Sequence, residues 1–208
     1  MVTNSPLMFP KPDFPILLLH QDDEDEKDSE SYSRFNPAQA ASALSILCEI
    51  LERLPASAKV VVLCLYTAEK ERMRDMLKAK GIFIPVVSAD GFQANEADLV
   101  YIITTRSVEQ SDDDRLLAFV KDDRRATVAL SRARHGLILH GNLLTLSKGT
   151  VWRKFILEAL KETEIVRPDS YLYALRSGTN PETITLPLGC VNGILPAPTP
   201  SSSFHHTA

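Results

Sequence analysis

A chain of 208 residues with 44% hydrophobic and 24% charged side chains can bury one ordinary core, and no apolar run approaches the roughly 18 residues of a membrane span. The net charge of −4 argues against a uniformly basic nucleic-acid binder. Much of it lies in one run, however: DDEDEKDSE at residues 22–30 carries net −6, which leaves the remainder near +2, with arginines gathered at Arg124, Arg125, Arg132 and Arg134.

The N-terminus, MVTNSPLMFPKPDFP, is broken by prolines and has no basic start before an apolar stretch, so these residues are not expected to act as a secretory signal. Residues 1–13 are read as a lead-in, and PILLLH at 15–20 as a strand buried on both faces. The acidic stretch 21–35 has few apolar residues and is expected to be a mobile loop. Asn36 offers a helix N-cap with Pro37 at the first position, and AQAASALSILCEILERL continues at helical spacing to Leu54. KVVVLCL at 59–65 reads as a second buried strand. Thr67 is expected to cap a charged amphipathic helix, AEKERMRDMLKAK, that Gly81 closes.

Short strands are expected at Ile84–Val87 and Leu99–Thr104, and residues 107–121 as loop. A helix follows from Asp122 or Asp123 to Ala133, then a strand at Gly136–Leu139 and a last helix at Val151–Glu162. Residues 167–208 are assigned to a mostly disordered tail, rich in Pro, Ser and Thr beyond Ser177. Cys48, Cys64 and Cys190 lie far apart. Cys48 and Cys64 sit in apolar runs, as free thiols of an intracellular, cytoplasmic or nuclear protein would.

Alternating buried strands and helices indicate an α/β fold, a parallel sheet with helices on both faces. In such sheets ligands bind at the carboxyl ends of the strands. The candidate residues are therefore expected in loops after strands.

Two segments carry the chemistry. The first, Ser88-Ala89-Asp90-Gly91-Phe92-Gln93-Ala94-Asn95-Glu96-Ala97-Asp98, leads into LVYIITTRS; the second, Asp122 to Gly136 (DDRRATVALSRARHG), leads into LILHGN. An arginine cluster on a helix is often only a solvated basic face, and Gln93 and Glu96 could be ordinary turn residues. Together and in order, the segments resemble motifs V and VI of superfamily-1 helicases, those related to the nonsense-mediated-decay (up-frameshift) helicase. Ser31-Tyr32 before Asn36, the Gly141-Asn142 turn and Trp152 also fall where that family has them. The resemblance covers residues 14–166 and implies the second, C-terminal RecA-like domain of a helicase, a P-loop NTPase fold without its P-loop.

The resemblance implies roles residue by residue. Arg132 is the arginine finger, a planar and permanently charged group set against the γ-phosphoryl oxygens, an effect worth about 10³–10⁵ in rate. Glu96 helps to hold the nucleotide sugar, and Gln93 links nucleotide to bound strand. Asp90, Gln93, Arg124 and Arg125 are candidates for contact with single-stranded RNA or DNA. Arg134 is as much a structural as a functional candidate. His135 and His140 have no partners at metal-ligand spacing, and the acids after PILLLH lack the pattern of a magnesium site.

No GxxxxGK[ST] sequence occurs in the chain, so nothing forms the amide cradle and lysine that hold a nucleotide's phosphates. ATP and Mg²⁺ are therefore expected only in the company of a separate N-terminal RecA-like domain carrying a P-loop, and the chain alone is not ATPase-competent. Three positions depart from the family pattern: Ala94 replaces a glycine, Gln39 a glutamate and Thr127 an asparagine. Two functions follow: a helicase half that needs such a partner domain, or a catalytically silent module that binds single strands or helicase partners.

Overall fold

The computed structural model describes Phe9, Lys11 and residues 13–108 and 117–188. Its centre is a seven-stranded sheet. In chain order the strands are β1 (Ile16–His20), β4 (Val60–Cys64), β5 (Val86–Ser88), β6 (Ala97–Ile103), β7 (Ala133–Gly141), β8 (Ile165–Val166) and β9 (Thr183–Ile184), in the spatial order β5-β4-β6-β7-β1-β8-β9. Every pairing is parallel except β8 with β9. A separate two-stranded ribbon pairs β2 (Glu26–Lys27) with β3 (Arg34–Phe35). The expected α/β fold, a parallel RecA-like sheet between helices, is present.

The continuous apolar strands bury side chains on both faces, and alternate residues feed two cores. Leu17, Leu19, Val62, Tyr101 and Ile138 pack under α1 (Pro37–Arg53), α2 (Thr67–Ala79) and α6 (Pro168–Ser177). Leu18, Leu63, Val100, Ile102 and Leu139 pack under α3 (Asp123–Leu130), the short α4 (Leu143–Leu146) and α5 (Thr150–Ala159), whose Trp152 is fully buried. Each such side chain contributes about 1.5–3 kcal/mol over its exposed state.

Local signals set the helix ends. The Asn36 side chain accepts from the Gln39 amide, with Pro37 at the first turn, and Gly81 adopts φ +73 just beyond α2. Thr67 is not the cap of α2 but its first residue; Tyr66 holds the cap position without a side-chain bond. Helix α3 ends at Leu130 rather than Ala133, because Ala133 already pairs with Ala97 at the start of β7.

Two segments differ from expectation. Within residues 167–208, α6 and β9 are formed, with Tyr171 and Leu175 packed in the core beneath α1 and Leu188 buried on the other face. The signals were local, Pro168 at the first turn and Gly178 at φ +73 after the last, but the Pro- and Ser-rich stretch beyond masked them. The rest of that expected tail lies outside the described residues.

The acidic run 22–30 is tied down rather than loose. Asp25 sits against Arg106 at 2.7 Å and Arg34 at 3.2 Å. The Asp28 carboxylate accepts from the amides of Glu30 and Ser31 and from the Ser31 hydroxyl.

Candidate functional site

Because β6 and β7 are parallel, the chain between them must return along the sheet, and α3 makes that return from the carboxyl edge to the amino edge. The motif residues are consequently split between two ends. The 3-10 turn Asp90–Phe92 follows β5 at the carboxyl edge and faces the start of α3. Asp122 caps α3 by accepting from the amides of Arg124 and Arg125, 3.1 Å each. Asp90 holds Arg125 through both carboxylate oxygens at 3.0–3.2 Å, and the Arg125 guanidinium lies 4.4 Å from the Phe119 ring centroid. Its neighbours Asp90 and Asp122 raise the Arg125 pKa.

Asp90, Gln93, Arg124 and Arg125 together line one open groove of about 260 Å³, with Ala89, Asp122 and Val128. The exposed Arg124 side chain has no acidic partner among the described residues.

At the amino edge the arrangement is sparse. Ala97 donates its amide to the Arg132 carbonyl, and Glu96 pairs with Arg134 at 2.9 Å. The Arg132 guanidinium folds back onto the end of α3, bonding Val128 O at 3.2 Å and Ser131 Oγ at 2.8 Å, where the helix carbonyls favour a cation. Among the described residues it meets no carboxylate. Asp98 accepts from the Lys59 amide, which holds its carboxyl below the usual range.

The expectation that all of these residues follow strands is thus half met. Asp90, Gln93, Arg124 and Arg125 cluster at the carboxyl side, whereas Glu96 and Arg132 precede β6 and β7. Nor does the Arg132 side chain bond to Glu96 or Gln93. The carboxyl-edge rule describes a sheet that binds its own ligand; a group offered to a ligand held by another domain is not bound by it.

The departures from the family pattern acquire local reasons. Ala94 keeps the left-handed backbone, φ +65, that its glycine counterpart would adopt freely, so the positive φ is not lost. Thr127 bonds Asp123 O on an exposed face of α3. Gln39 is fully buried; its amide grips both backbone groups of Thr105, accepting from N at 3.0 Å and donating to O at 3.4 Å. A glutamate could make only the first bond. Thr105 itself stands at φ +68.

Sequence reasoning missed the polar network around Thr105. Arg106 is buried at the end of β6 and paired with Asp25. Glu69, buried in α2, accepts from the Asn36 amide at 2.6 Å, and burial pushes its carboxyl up to about 7. His140 is held neutral by burial, its pKa pushed down to about 3. Its Nδ1 accepts from the Tyr101 hydroxyl and its Nε2–H donates to Gln21 Oε1. One signal was available, since an arginine directly after a buried strand is a site candidate by position. Nothing in the seven acidic choices of residues 22–30 marks Asp25 as its partner. Among the described residues no group of side chains could hold a metal ion, and no helix is long and apolar enough to cross a membrane.

The sequence matches the family described as "AAA domain" over residues 2–144. It is 28% identical over 161 residues to "Regulator of nonsense transcripts 1" of Dictyostelium discoideum, covering 74% of this chain and 12% of that protein. It is 25% identical over 163 residues to "ATP-dependent helicase upf1" of Schizosaccharomyces pombe, covering 75% and 17%. With "Helicase sen1" of the same yeast it shares 26% over 151 residues, covering 69% and 9%. The matched segment thus spans between 9% and 17% of these relatives' length.

Proposed function

Because this chain belongs to the AAA-domain family of superfamily-1 helicases related to the up-frameshift helicase, we propose that it is the C-terminal RecA-like half of an ATP-dependent RNA or DNA helicase. It needs a P-loop-bearing RecA-like domain to turn over. The observation that carries the reading is Arg132: a guanidinium at the open amino edge, with no carboxylate partner among the described residues and only local bonds, to Val128 O and Ser131 Oγ, to give up. Glu96, exposed and next to Ala97, whose amide bonds the Arg132 carbonyl, is held by a solvent-facing pair with Arg134; such pairs contribute about 0–1 kcal/mol and yield readily to a ligand.

In this reading Arg132 swings off α3 to face the phosphoryl group of a nucleotide held by the partner domain, and Glu96 meets its sugar. Hydrolysis builds charge on the γ-phosphoryl oxygens, and a positioned arginine stabilises it by about 4–7 kcal/mol. The groove of Asp90, Gln93, Arg124 and Arg125 lies at the other end of the same motif segments, where it would take the backbone of a single strand. Asp90 keeps Arg125 aimed, and Gln93 ties the two regions through one short stretch of chain. Joined to the P-loop half of an up-frameshift helicase, the chain should support strand-stimulated ATP hydrolysis. The chain by itself should show none above background, and turnover by it alone that Arg132→Ala removes would defeat the partner requirement.

A second reading, a catalytically silent module, is favoured by the same arginine's bonds to its own helix and by the Glu96–Arg134 pair, which together leave the amino edge internally satisfied. The joined protein decides between them: normal strand binding with no turnover at saturating ATP would select the silent module.

A further inference from the structure

At the carboxyl edge one anion is seated as a bound ligand would be. Asp25 Oδ2 takes hydrogen bonds from Arg106 Nη1 at 2.7 Å and Arg34 Nη1 at 3.2 Å, and Asp25 Oδ1 takes the Ser107 amide at 2.9 Å. Two guanidiniums and a backbone N–H are the donor set that proteins use for phosphate oxygens. Arg106 is 3% exposed, and its Nε donor has no partner, so the guanidinium at the seat is buried with part of its hydrogen-bonding capacity unused. Its backbone is prepared by Thr105 in the left-handed region, held there by the buried Gln39 amide.

The segment that brings Asp25 has little else to hold it. Between Gln21 and Tyr32 no apolar side chain is buried. Besides the seat, it is held by the two-residue pairing of β2 with β3, the Ser107 hydroxyl to Asp22 O, the Asn36 side chain to Asp23 O and the exposed Asp22–Arg167 pair. The seat also adjoins the motif groove: Tyr66, on which the charges of Arg106, Asp25, Arg34 and Arg125 all bear, stacks at 4.7 Å on the same Phe119 that carries Arg125.

We propose that Arg106, Arg34 and the Ser107 amide form a phosphodiester-binding seat at the carboxyl edge, which the chain's own acidic loop closes by placing Asp25 in it. The loop is then an internal competitor. A single strand lying along Arg124 and Arg125 gains a further phosphate contact only by displacing residues 22–30, and weak binders are turned away. The strand as ligand rests on the helicase reading; the seat as an oxyanion site does not.

Hydrogen exchange on the wild-type protein tests this with two probes, a 15-nucleotide uridine oligomer at low salt and inorganic phosphate against chloride at matched ionic strength. Amides of residues 22–31 should exchange at least tenfold faster with either probe, while the Ser107 amide stays protected. Asp25→Asn should bind the oligomer at least tenfold more tightly than wild type. Glu24→Gln, which removes the same charge from the next residue, should change affinity less than twofold. Arg106→Gln added to Asp25→Asn should cancel the gain. Phosphate that opens the loop while no oligomer binds would keep the seat and sink the strand. A loop whose exchange neither probe changes, or equal gains from Asp25→Asn and Glu24→Gln, would overturn the proposal.

Discussion

At the carboxyl edge, polar groups are buried and interlocked. Asn36, Gln39, Glu69, Thr105, Arg106, His140 and Asn142 are all shielded from solvent. Gly141 permits the packing, since a Cβ there would meet Thr104 Oγ1 at 1.8 Å. At the amino edge Glu96, Ser131 and Arg134 are exposed, Arg132 is half-buried, and their bonds are few and local. In a buried network each group left unpaired costs its full desolvation, whereas solvent compensates at the open edge. Substitutions inside this buried network, as at Gln39 or Glu69, should therefore register as stability, and those at the amino edge as chemistry with stability nearly unchanged.

The largest expected effect breaks or upholds that division directly. In the protein joined to a P-loop half, Arg132→Ala should lower kcat at least 10³-fold, about 4 kcal/mol of barrier, with Tm shifted by less than a few degrees. A Tm loss that accounts for the missing turnover would make Arg132 a helix-end structural group.

Next in size is Glu69. Its folded pKa, about 7, lies above the ordinary 4.5 because burial disfavours the charged form, only partly offset by the Asn36 amide. The native state thus holds a proton that the unfolded chain releases between those values. The native state carries no penalty at pH below 4.5, and stability falls as pH rises through 7. Glu69→Gln keeps an acceptor for the Asn36 amide and removes the titration, so it should gain up to about 3 kcal/mol at pH 8. The gain should vanish near pH 4.5 in urea titrations run at both values. An equal effect at the two pH values would show that charge burial is not the cause.

A smaller effect comes from Ala94, whose left-handed φ of +65 costs a Cβ-bearing residue about 1 kcal/mol. Ala94→Gly should raise stability by about 0.5–1 kcal/mol, and a loss on the same measurement would mean that the methyl group is packed in place. Smallest is Arg134→Ala, which breaks the exposed pair with Glu96. It should move stability by less than about 0.5 kcal/mol in chemical denaturation, and a larger loss would show that the amino edge is stiffer than its exposure implies.

Much of the frame was readable from residues. The β-branched and leucine runs, Asn36 with Pro37, and Gly81 act within a few positions of themselves, so their outcome survives without the rest of the chain. The motif segments were readable as types for the same reason. Where their side chains would point was not, because α3's return along the sheet sends Arg125 to one edge and Arg132 to the other.

Sequence alone determined an alternating α/β chain, its parallel sheet and its helicase motifs, since these depend on periodicity and on residue kinds at short range. Only the tertiary structure decided that Gln39 would grip Thr105, that Glu69 would be buried beside Asn36, and that Asp25 alone among its acidic neighbours would meet Arg106. Those choices join residues 33 to 81 positions apart, and such contacts are fixed by which strand ends the fold brings together, a matter that no local pattern encodes.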